Sequence, residues 1–488
     1  MISNKKRNGV VYTPSNIVKI ILDEVGYTPC GDKDKRKIID PSCGDGAFLK
    51  EIVELLSVEC PQASAEELVW GIDIDQKAIA ECKHNLNLIR EKYSLTRLKW
   101  KNVICGNTFD KREEFHQKFD FVVGNPPYVR IQNLGESQRK FLQSNYLFCR
   151  DGSADLYMAF MELGYDLIAV DGKLGFITPN SYIKNNCGKE IRKFLKETKS
   201  IKMLVDFDAE KIFKGISTYT AIIVLVKQSM VEKFVLKSYQ AGSLLRVGDI
   251  YFNDLGEEAW VLKDKKTLKR ISEIKKRGVP LGKIARISVG LATLSDKYFI
   301  FSDPVFGEGI ANIDVPCIGL VQIEQSILRP IIKASTWKAR RQKQNKWILF
   351  PYEDGKIIPE KKLIKKYPKA YQYLKSVKTK LDERDAGKKN PIAWYAFGRS
   401  QGIISSFGKK IITSTMNQKP NFIVCDDSNY TFYAGYAIFS EGNLEDLAAQ
   451  LNSDDMEFFI NNTSKPYSGG YRSYSKSFIK EFGVEKLK

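Results

Sequence analysis

Histidine is nearly absent from this chain: His84 and His116 are the only two in 488 residues. That excludes a His-rich metal site and leaves little room for a histidine-based triad. Both sit in polar segments and read as surface residues. Long apolar runs are missing as well. No stretch approaches the roughly 20 residues that span a bilayer, and the N-terminus, MISNKKRNGVVYTP, has no apolar signal core. These absences predict a cytoplasmic protein without a membrane partner. The nine cysteines are scattered with no CxxC pair, which excludes a zinc ribbon and predicts unpaired thiols in a reducing compartment. No fixed-period repeat or low-complexity tract occurs. What remains, 43% hydrophobic and 28% charged residues, is a globular composition with length for two or three domains.

Acidic charge is in deficit, and the deficit is local. The net charge is +19, from 77 Lys and Arg against 58 Asp and Glu. Residues 1–240 hold 36 basic and 31 acidic side chains, whereas 241–488 hold 41 and 27. Within the latter, 331–410 alone carries 21 basic and 6 acidic residues. A concentrated basic excess points to a polyanion surface. Interleaved rings at Trp337, Trp347, Tyr352, Trp394, Tyr395 and Phe397 tilt that expectation toward nucleic acid.

The first half alternates strand-like and helix-like segments. RKIID, ELVWGIDID, LKWKNVICGN and KFDFVVG read as strands, with GAFLKEIVELLSV and QKAIAECKHNLNLIREKY as the intervening helices. LYMAFMELGYDLIA and IRKFLKET read as later helices; GKLGFITP, IKMLVDFD and TYTAIIVLVK read as strands. Such alternation predicts an α/β domain, a mostly parallel sheet with helices on both faces. The pattern ends near residue 240, and LVKQSMVEKFVLKSYQAGSLLRV reads as a bridge to a second, mixed domain of shorter strands. Domains are therefore expected at 1–240 and 241–488.

Polar groups recur where the first four strands end. IIDPSCGDGAFL (38–49) is a strand, a glycine turn and a helix, a ligand cradle with Asp40 beside it and Gly44 and Gly46 allowing close backbone approach. It is not the dinucleotide fingerprint, so a pyrophosphate is not demanded. GIDID offers Asp73 and Asp75, acids placed to hold ribose hydroxyls. ICGNTF offers Asn107. VVGNPPY ends in Asn125, Pro126, Pro127 and Tyr128. Each proline fixes φ, and the residue before a proline is held extended, so the Asn125 side chain and the Pro126 carbonyl are stiffly aimed acceptors beside a flat ring. That arrangement suits a planar ligand bearing an NH2 group. Four strand ends at one edge suit a ligand with an amine, a carboxylate, a ribose and a base. S-adenosylmethionine fits that description.

With these motifs in order, VVYTPSNIV at 10–18, DPSCGDGAF, GIDID, NPPY and FKGISTYTAIIVLV at 213–226, the chain resembles the γ-class N6-adenine-specific DNA methyltransferases of bacterial restriction–modification systems. The likeness extends to that family's C-terminal target-recognition domain, through ISVGLATLSDKYFIF, ILRPIIKASTW, KKIITSTMNQKPNFIV and GGYRSYSKSFIKEFGV. The resemblance implies a Rossmann-like S-adenosylmethionine-dependent methyltransferase domain at 1–240 and a mixed α+β DNA-recognition domain at 241–488. It implies that Thr13 contacts the methionine carboxylate and that Asp40 lies near the methionine end. It selects Asp73 over Asp75 for the ribose, packs Ile74 on the cofactor's adenine, and puts Asn107 where the family often has Asp. Gly44 belongs to the cofactor turn, and Asn125 is a cofactor-binding residue as well as a catalytic one. Asn125, Pro126 and Tyr128 match the catalytic motif, and Phe213 matches the ring on the opposite face of a flipped base. Double-stranded DNA is the implied partner, with a cognate restriction endonuclease acting separately; no metal is called for. Candidate base readers are Arg340, Arg341, Arg399, Asn417, Gln418 and Arg472.

Three rivals remain at this level. Methyltransferases of a protein glutamine amide carry a similar NPPY, since that amide presents the same planar NH2, but they lack the large basic second domain. RNA is an alternative polyanion. A DNA-binding module with a dead catalytic half is opposed by the intact motifs. Only about ten residues precede VYTP, so no N-terminal nuclease is expected. The segment VRIQNLGESQRKFLQSNYLFCRDGSADLYMAF after Tyr128 reads as a polar loop long enough to close over DNA, or as partly helical.

Overall fold

The computed structural model describes residues 13–29, 36–150, 153–207, 212–213, 219–227, 231–240, 242–256, 259–316, 318–340, 342 and 344–487. The chain divides into two compact units, Met1–Lys265 and Lys266–Lys488. The division falls beyond the 240/241 position expected from the sequence.

The first unit is built on a nine-stranded sheet. Its strands are β1 (Ile38–Asp40), β2 (Val69–Asp73), β3 (Val103–Cys105), β4 (Phe119–Gly124), β5 (Ile168–Pro179), β6 (Ile201–Asp206), β7 (Thr220–Val226), β8 (Lys233–Gln240) and β9 (Ser243–Tyr251). The order across the sheet is β3-β2-β1-β4-β5-β7-β6-β8-β9. From β3 to β5 every neighbour is parallel. β7 then runs antiparallel between β5 and β6. The expected bridge is the β8–β9 hairpin, which pairs onto β6 and extends the sheet. Its signal was two alternating runs closed by a glycine turn, and Gly242 takes φ +86° there.

Helices α1 (Ser15–Val25), α2 (Ala47–Glu59), α3 (Gln76–Lys92), α4 (Glu136–Asn145), α5 (Leu156–Leu167) and α6 (Lys189–Thr198) accompany the strands. Two apolar cores result, one drawing on α1, α2 and α3, the other on α5 and α6. In α1, Ile17, Val18, Ile21, Leu22 and Val25 are buried, one stripe at helical spacing, and Gly26 ends the helix in the left-handed region. Gly175 of β5 lets α1 lie close: a Cβ there would sit 2.5 Å from Val25 Cγ1 and 2.9 Å from Ile21 Cγ2. The expectation of unpaired thiols fails at Cys60, which is disulfide-bonded. Cys43, Cys82, Cys105, Cys149, Cys187 and Cys425 are free thiols. Both histidines are exposed.

The second unit is mixed α+β. One sheet runs Arg286–Val289, Gly435–Phe439, Lys410–Ser414, Ile423–Cys425, all antiparallel. Another runs Ile300–Ser302, Lys346–Leu349, Leu328–Lys333, Thr431–Tyr433, the last pair parallel. Short helices at Glu360–Lys366, Pro368–Ser376 and Lys378–Asp382 carry much of the basic excess, with Lys361, Lys365 and Lys375 exposed. The buried Arg384 guanidinium ties this helical piece to the following loop, donating to the carbonyls of Leu381, Ala396 and Trp394. The aromatic residues expected to face nucleic acid mostly do not. Trp337, Tyr352, Tyr395 and Phe397 are buried, and Trp347 and Trp394 pack partly buried against the core. Their apolar area is worth more inside than on the surface. Among the described residues no helix is long and apolar enough to cross a membrane.

Candidate active site

β3, β2, β1 and β4 lie side by side and parallel, so their C-terminal ends share one edge of the sheet. β1 ends in Asp40, whose buried carboxylate accepts from the Ser42 N–H at 3.0 Å. Burial, with a smaller push from the Asp73 charge, raises its pKa to about 8 against the opposing Ser42 bond. Gly124 closes β4 directly against it: a Cβ at Gly124 would lie 2.7 Å from Asp40 Oδ1. The absent side chain is what lets the acid sit beneath the start of the Asn-Pro-Pro-Tyr segment.

The turn after β1 needs left-handed backbone at Gly44 (φ +52°) and Gly46 (φ +90°). A Cβ on Gly46 would meet Cys82 Sγ of α3 at 2.7 Å, so the turn can pass close to that helix only as glycine. Gly44 N–H donates to Asp73 Oδ2 at 2.9 Å, and Asp75 N–H donates to Asp73 Oδ1 at 2.9 Å. Asp75 has a different task. It is the N-cap of α3, accepting from the Lys77 and Ala78 N–H groups. Between the two acids, Ile74 is 78% exposed. A large apolar side chain standing in water at a strand end is what a flat ring would cover.

Asn107 caps a short 3-10 turn, its Oδ1 accepting from Phe109 N–H at 3.3 Å and its Nδ2 donating to Asp110. An amide oxygen can accept a second bond, so a ligand donor is still accommodated. The adjacent Thr108 hydroxyl donates to the Pro41 carbonyl, fastening the β3 exit to the β1 exit. Phe109 stacks tilted on Phe160 at 4.8 Å. Sequence reasoning missed Thr108, whose one signal is its place beside Asn107.

Asn125 Nδ2 donates to Thr13 Oγ1 at 3.1 Å. The packing of α1 on Gly175 thus delivers Thr13 to the Asn-Pro-Pro-Tyr segment, 112 residues away in sequence. Anchoring the amide nitrogen sets the amide plane and the heading of Oδ1. Pro126 is buried and Tyr128 partly exposed, with burial holding the Tyr128 phenol well above its usual range. Tyr128 OH donates to the Ile177 carbonyl at 3.4 Å. Its ring meets Phe213 edge-on, centroids 6.2 Å apart at 73°. Phe213 is itself described and buried; residues 208–211 and 214–218 around it, and 10–12 before Thr13, lie outside the described residues.

The segment after Tyr128 is folded rather than a long open loop. It contains α4, and Leu142, Tyr146, Phe148 and Cys149 enter the core.

The donor set fits S-adenosylmethionine: a buried carboxyl group for the ammonium, a threonine hydroxyl for the carboxylate, an acid oriented by two backbone N–H groups for the ribose, and an exposed isoleucine for the base. In the second unit the candidate readers differ. Arg340 is exposed but paired with Asp426 and Glu445, and Arg399 with Asp385. Asn417 is buried, donating to Thr413 Oγ1, so it faces the interior and not a groove. Gln418 donates to the Gly469 carbonyl. Arg472 lies in a short strand beside Asn417, and Arg341 is outside the described residues.

Residues 67–213 match the family of the Eco57I restriction-modification methylase. The chain is 26% identical to the type II methyltransferase M.BstVI of Geobacillus stearothermophilus, over 98% of this chain and 90% of that protein. It is 25% identical to the type II methyltransferase M.XhoI of Xanthomonas vasicola, with 98% and 91% covered. To the type II restriction enzyme and methyltransferase RM.Eco57I of Escherichia coli it is 24% identical over 92% of this chain, but it spans only 54% of that protein. In three dimensions it is similar to the type IIL restriction-modification enzyme MmeI solved in complex with DNA. The TM-score is 0.64 at 16% identity, covering 99% of this chain and 69% of the other.

Proposed function

We propose that this chain, a relative of the Eco57I restriction-modification methylases, methylates the N6 atom of an adenine turned out of double-stranded DNA. It would serve as the modification enzyme of a restriction–modification system, with a cognate endonuclease acting separately. The observation that carries the reading is the Asn-Pro-Pro-Tyr segment, closed against Asp40 at Gly124 and anchored to Thr13 through the Asn125 amide. Curated relatives named as type II methyltransferases across nearly the whole chain support the DNA substrate.

S-adenosylmethionine supplies an electrophilic methyl group. Thr13, Asp40, Gly44, Asp73, Ile74, Asn107 and Asn125 are the residues that would hold it. The adenine N6 lone pair is delocalised into the ring and is a poor nucleophile. Asn125 Oδ1 and the Pro126 carbonyl accept from its two N–H bonds, which draws the nitrogen toward tetrahedral geometry and localises the lone pair. Because both acceptors are fixed before the base arrives, catalysis rests on positioning and electrostatic preorganisation. No strong base is needed beforehand, since the amine becomes acidic only as it is alkylated. A base inside a stacked duplex cannot reach these acceptors, and extrusion costs a few kcal/mol. Stacking on Tyr128, with Phe213 beside it, returns part of that, base–aromatic stacking being worth about 1–3 kcal/mol per base.

The test is to incubate plasmid DNA with the protein and labelled S-adenosylmethionine, then map the modified base by single-molecule sequencing. Label recovered as 6-methyladenine at one short motif is expected. Label in cytosine, in RNA alone or in protein would overturn the reading. With 2-aminopurine at the target position, fluorescence should rise on binding, and less for Tyr128→Ala and Phe213→Ala.

A further inference from the structure

Tyr128 is weakly held by its own bonds. Its hydroxyl contact to Ile177 O, at 3.4 Å, is longer than an ordinary O–H···O bond, and Asn125 and the two prolines constrain backbone more than ring. A ring offered to a planar base must nevertheless keep its plane. The structure shows a second support for it, outside every motif used so far.

Tyr157 lies in the first turn of α5 and is completely buried. Its ring meets Tyr128 edge-on, with centroids 6.5 Å apart and planes at 78°. Its hydroxyl lies 3.0 Å from Ser181 Oγ, just beyond the end of β5. The ring also tilts against Tyr182, with centroids 6.5 Å apart and planes at 56°. Phe213, Tyr128, Tyr157 and Tyr182 are therefore joined by successive ring contacts.

The backbone beneath is clamped at the same place. Leu156 N–H donates to Val129 O at 2.7 Å, Ile131 N–H donates to Ala154 O at 3.1 Å, and Arg130 and Asp155 form an antiparallel bridge. The residues that follow Tyr128 are thus bound to the residues that precede Tyr157. The clamp holds the two Cα positions at a fixed spacing, and the edge contact between the rings acts from that fixed base.

A buried tyrosine with a satisfied hydroxyl is ordinarily only a core residue. Three features go further here. The edge contact is to the residue assigned to the base. The phenol is pinned from a different strand end, by Ser181, so the ring has a fixed azimuth. The clamp ties the backbone of Tyr157 to the exit of the Asn-Pro-Pro-Tyr segment.

We infer that Tyr157, held by Ser181, is a positioning residue that presets the plane of Tyr128 for the extruded base. This rests on the function proposed above. Since Tyr157 acts through Tyr128, removing its ring edge must matter only while Tyr128 is present.

The experiment is a double-mutant cycle on the full-length protein. Single-turnover methyl transfer, 2-aminopurine fluorescence and S-adenosylmethionine affinity are measured for Tyr157→Leu, Tyr128→Ala and the pair. Tyr157→Leu should slow transfer about two- to tenfold, the range an aromatic edge contact spans. It should also lower the fluorescence rise and leave cofactor affinity within twofold. On a Tyr128→Ala background it should do nothing more. Tyr157→Phe keeps the edge and loses the Ser181 bond; it should fall between wild type and Tyr157→Leu and match Ser181→Ala. It also keeps the inference testable should Tyr157→Leu fold poorly. Additive losses in the cycle, or cofactor affinity and transfer falling together, would make Tyr157 a core residue and overturn the inference. A wild-type protein with no fluorescence rise and no 6-methyladenine product would instead overturn the parent reading.

Discussion

At the scale of single residues, the site depends on two side chains whose surroundings do unusual work. Asn125 has its amide nitrogen tied to Thr13, so its oxygen is pre-aimed. Asn125→Ala should cut single-turnover methyl transfer by about 10²–10³-fold, the loss typical of one preorganised hydrogen-bonding group. S-adenosylmethionine affinity should stay within a few-fold by equilibrium dialysis. Asp40 carries a pKa raised to about 8, so the free protein holds its proton at neutral pH. A cationic amine beside it favours the carboxylate. Cofactor binding should therefore release a proton and tighten as pH rises toward 8, levelling off above it, an effect read by calorimetry in buffers of different ionisation heat. The same shift acts on folding. The folded state keeps a proton that the unfolded chain releases near pH 4, so this contribution to stability is lost as pH rises toward and through 8. Asp40→Asn should flatten both pH dependences.

At the scale of elements, α1 is the part whose placement matters most. It brings Thr13 to Asn125, and it lies close to the sheet because Gly175 has no side chain. Gly175→Ala would put a methyl into Val25 and Ile21. Overpacking of this kind costs about 1–3 kcal/mol. The melting temperature should fall, and transfer should fall further than cofactor binding when both are measured well below the transition. Should α1 merely cover the sheet, activity per folded molecule would be unchanged. The two helices flanking the cradle show how an element's own chemistry sorts neighbouring acids. Asp75 was a ribose candidate on spacing alone, and the need to cap α3 claims it, leaving Asp73 turned to the Gly44 N–H.

At the scale of the whole molecule, charge separates the two units. The basic excess sits on the second, on short helices with exposed lysines at 361, 365 and 375. Binding to duplex DNA should weaken linearly in log[salt], with a slope near −0.9 per phosphate neutralised. A flat response, measured by fluorescence anisotropy, would remove the case for a phosphate-binding second unit. The rings of that unit argue nothing about DNA. Tyr352 and Phe397 pack at 4.9 Å inside its core, and their interleaving with lysines in sequence reflects strand and helix alternation between an inner and an outer face.

Much of the first unit was legible from local pattern. Apolar runs ending in Asp40, Asp73, Asn107 and Asn125 marked four strands and their shared edge, because strand periodicity, glycine turns and proline rigidity are properties of a few consecutive residues. The β8–β9 hairpin was misread as a bridge since its partner, β6, is remote and pairing is not a local property. Thr108, Tyr157 and Ser181 were invisible for the same reason. Each is ordinary in its own segment and acquires meaning only from a carbonyl, a ring or a hydroxyl brought up from elsewhere. The linear order of residues thus determined which chemistry this protein carries and at which strand ends. Close packing of distant segments decided which atoms meet, because a hydrogen bond or ring contact forms over a few ångströms regardless of separation along the chain.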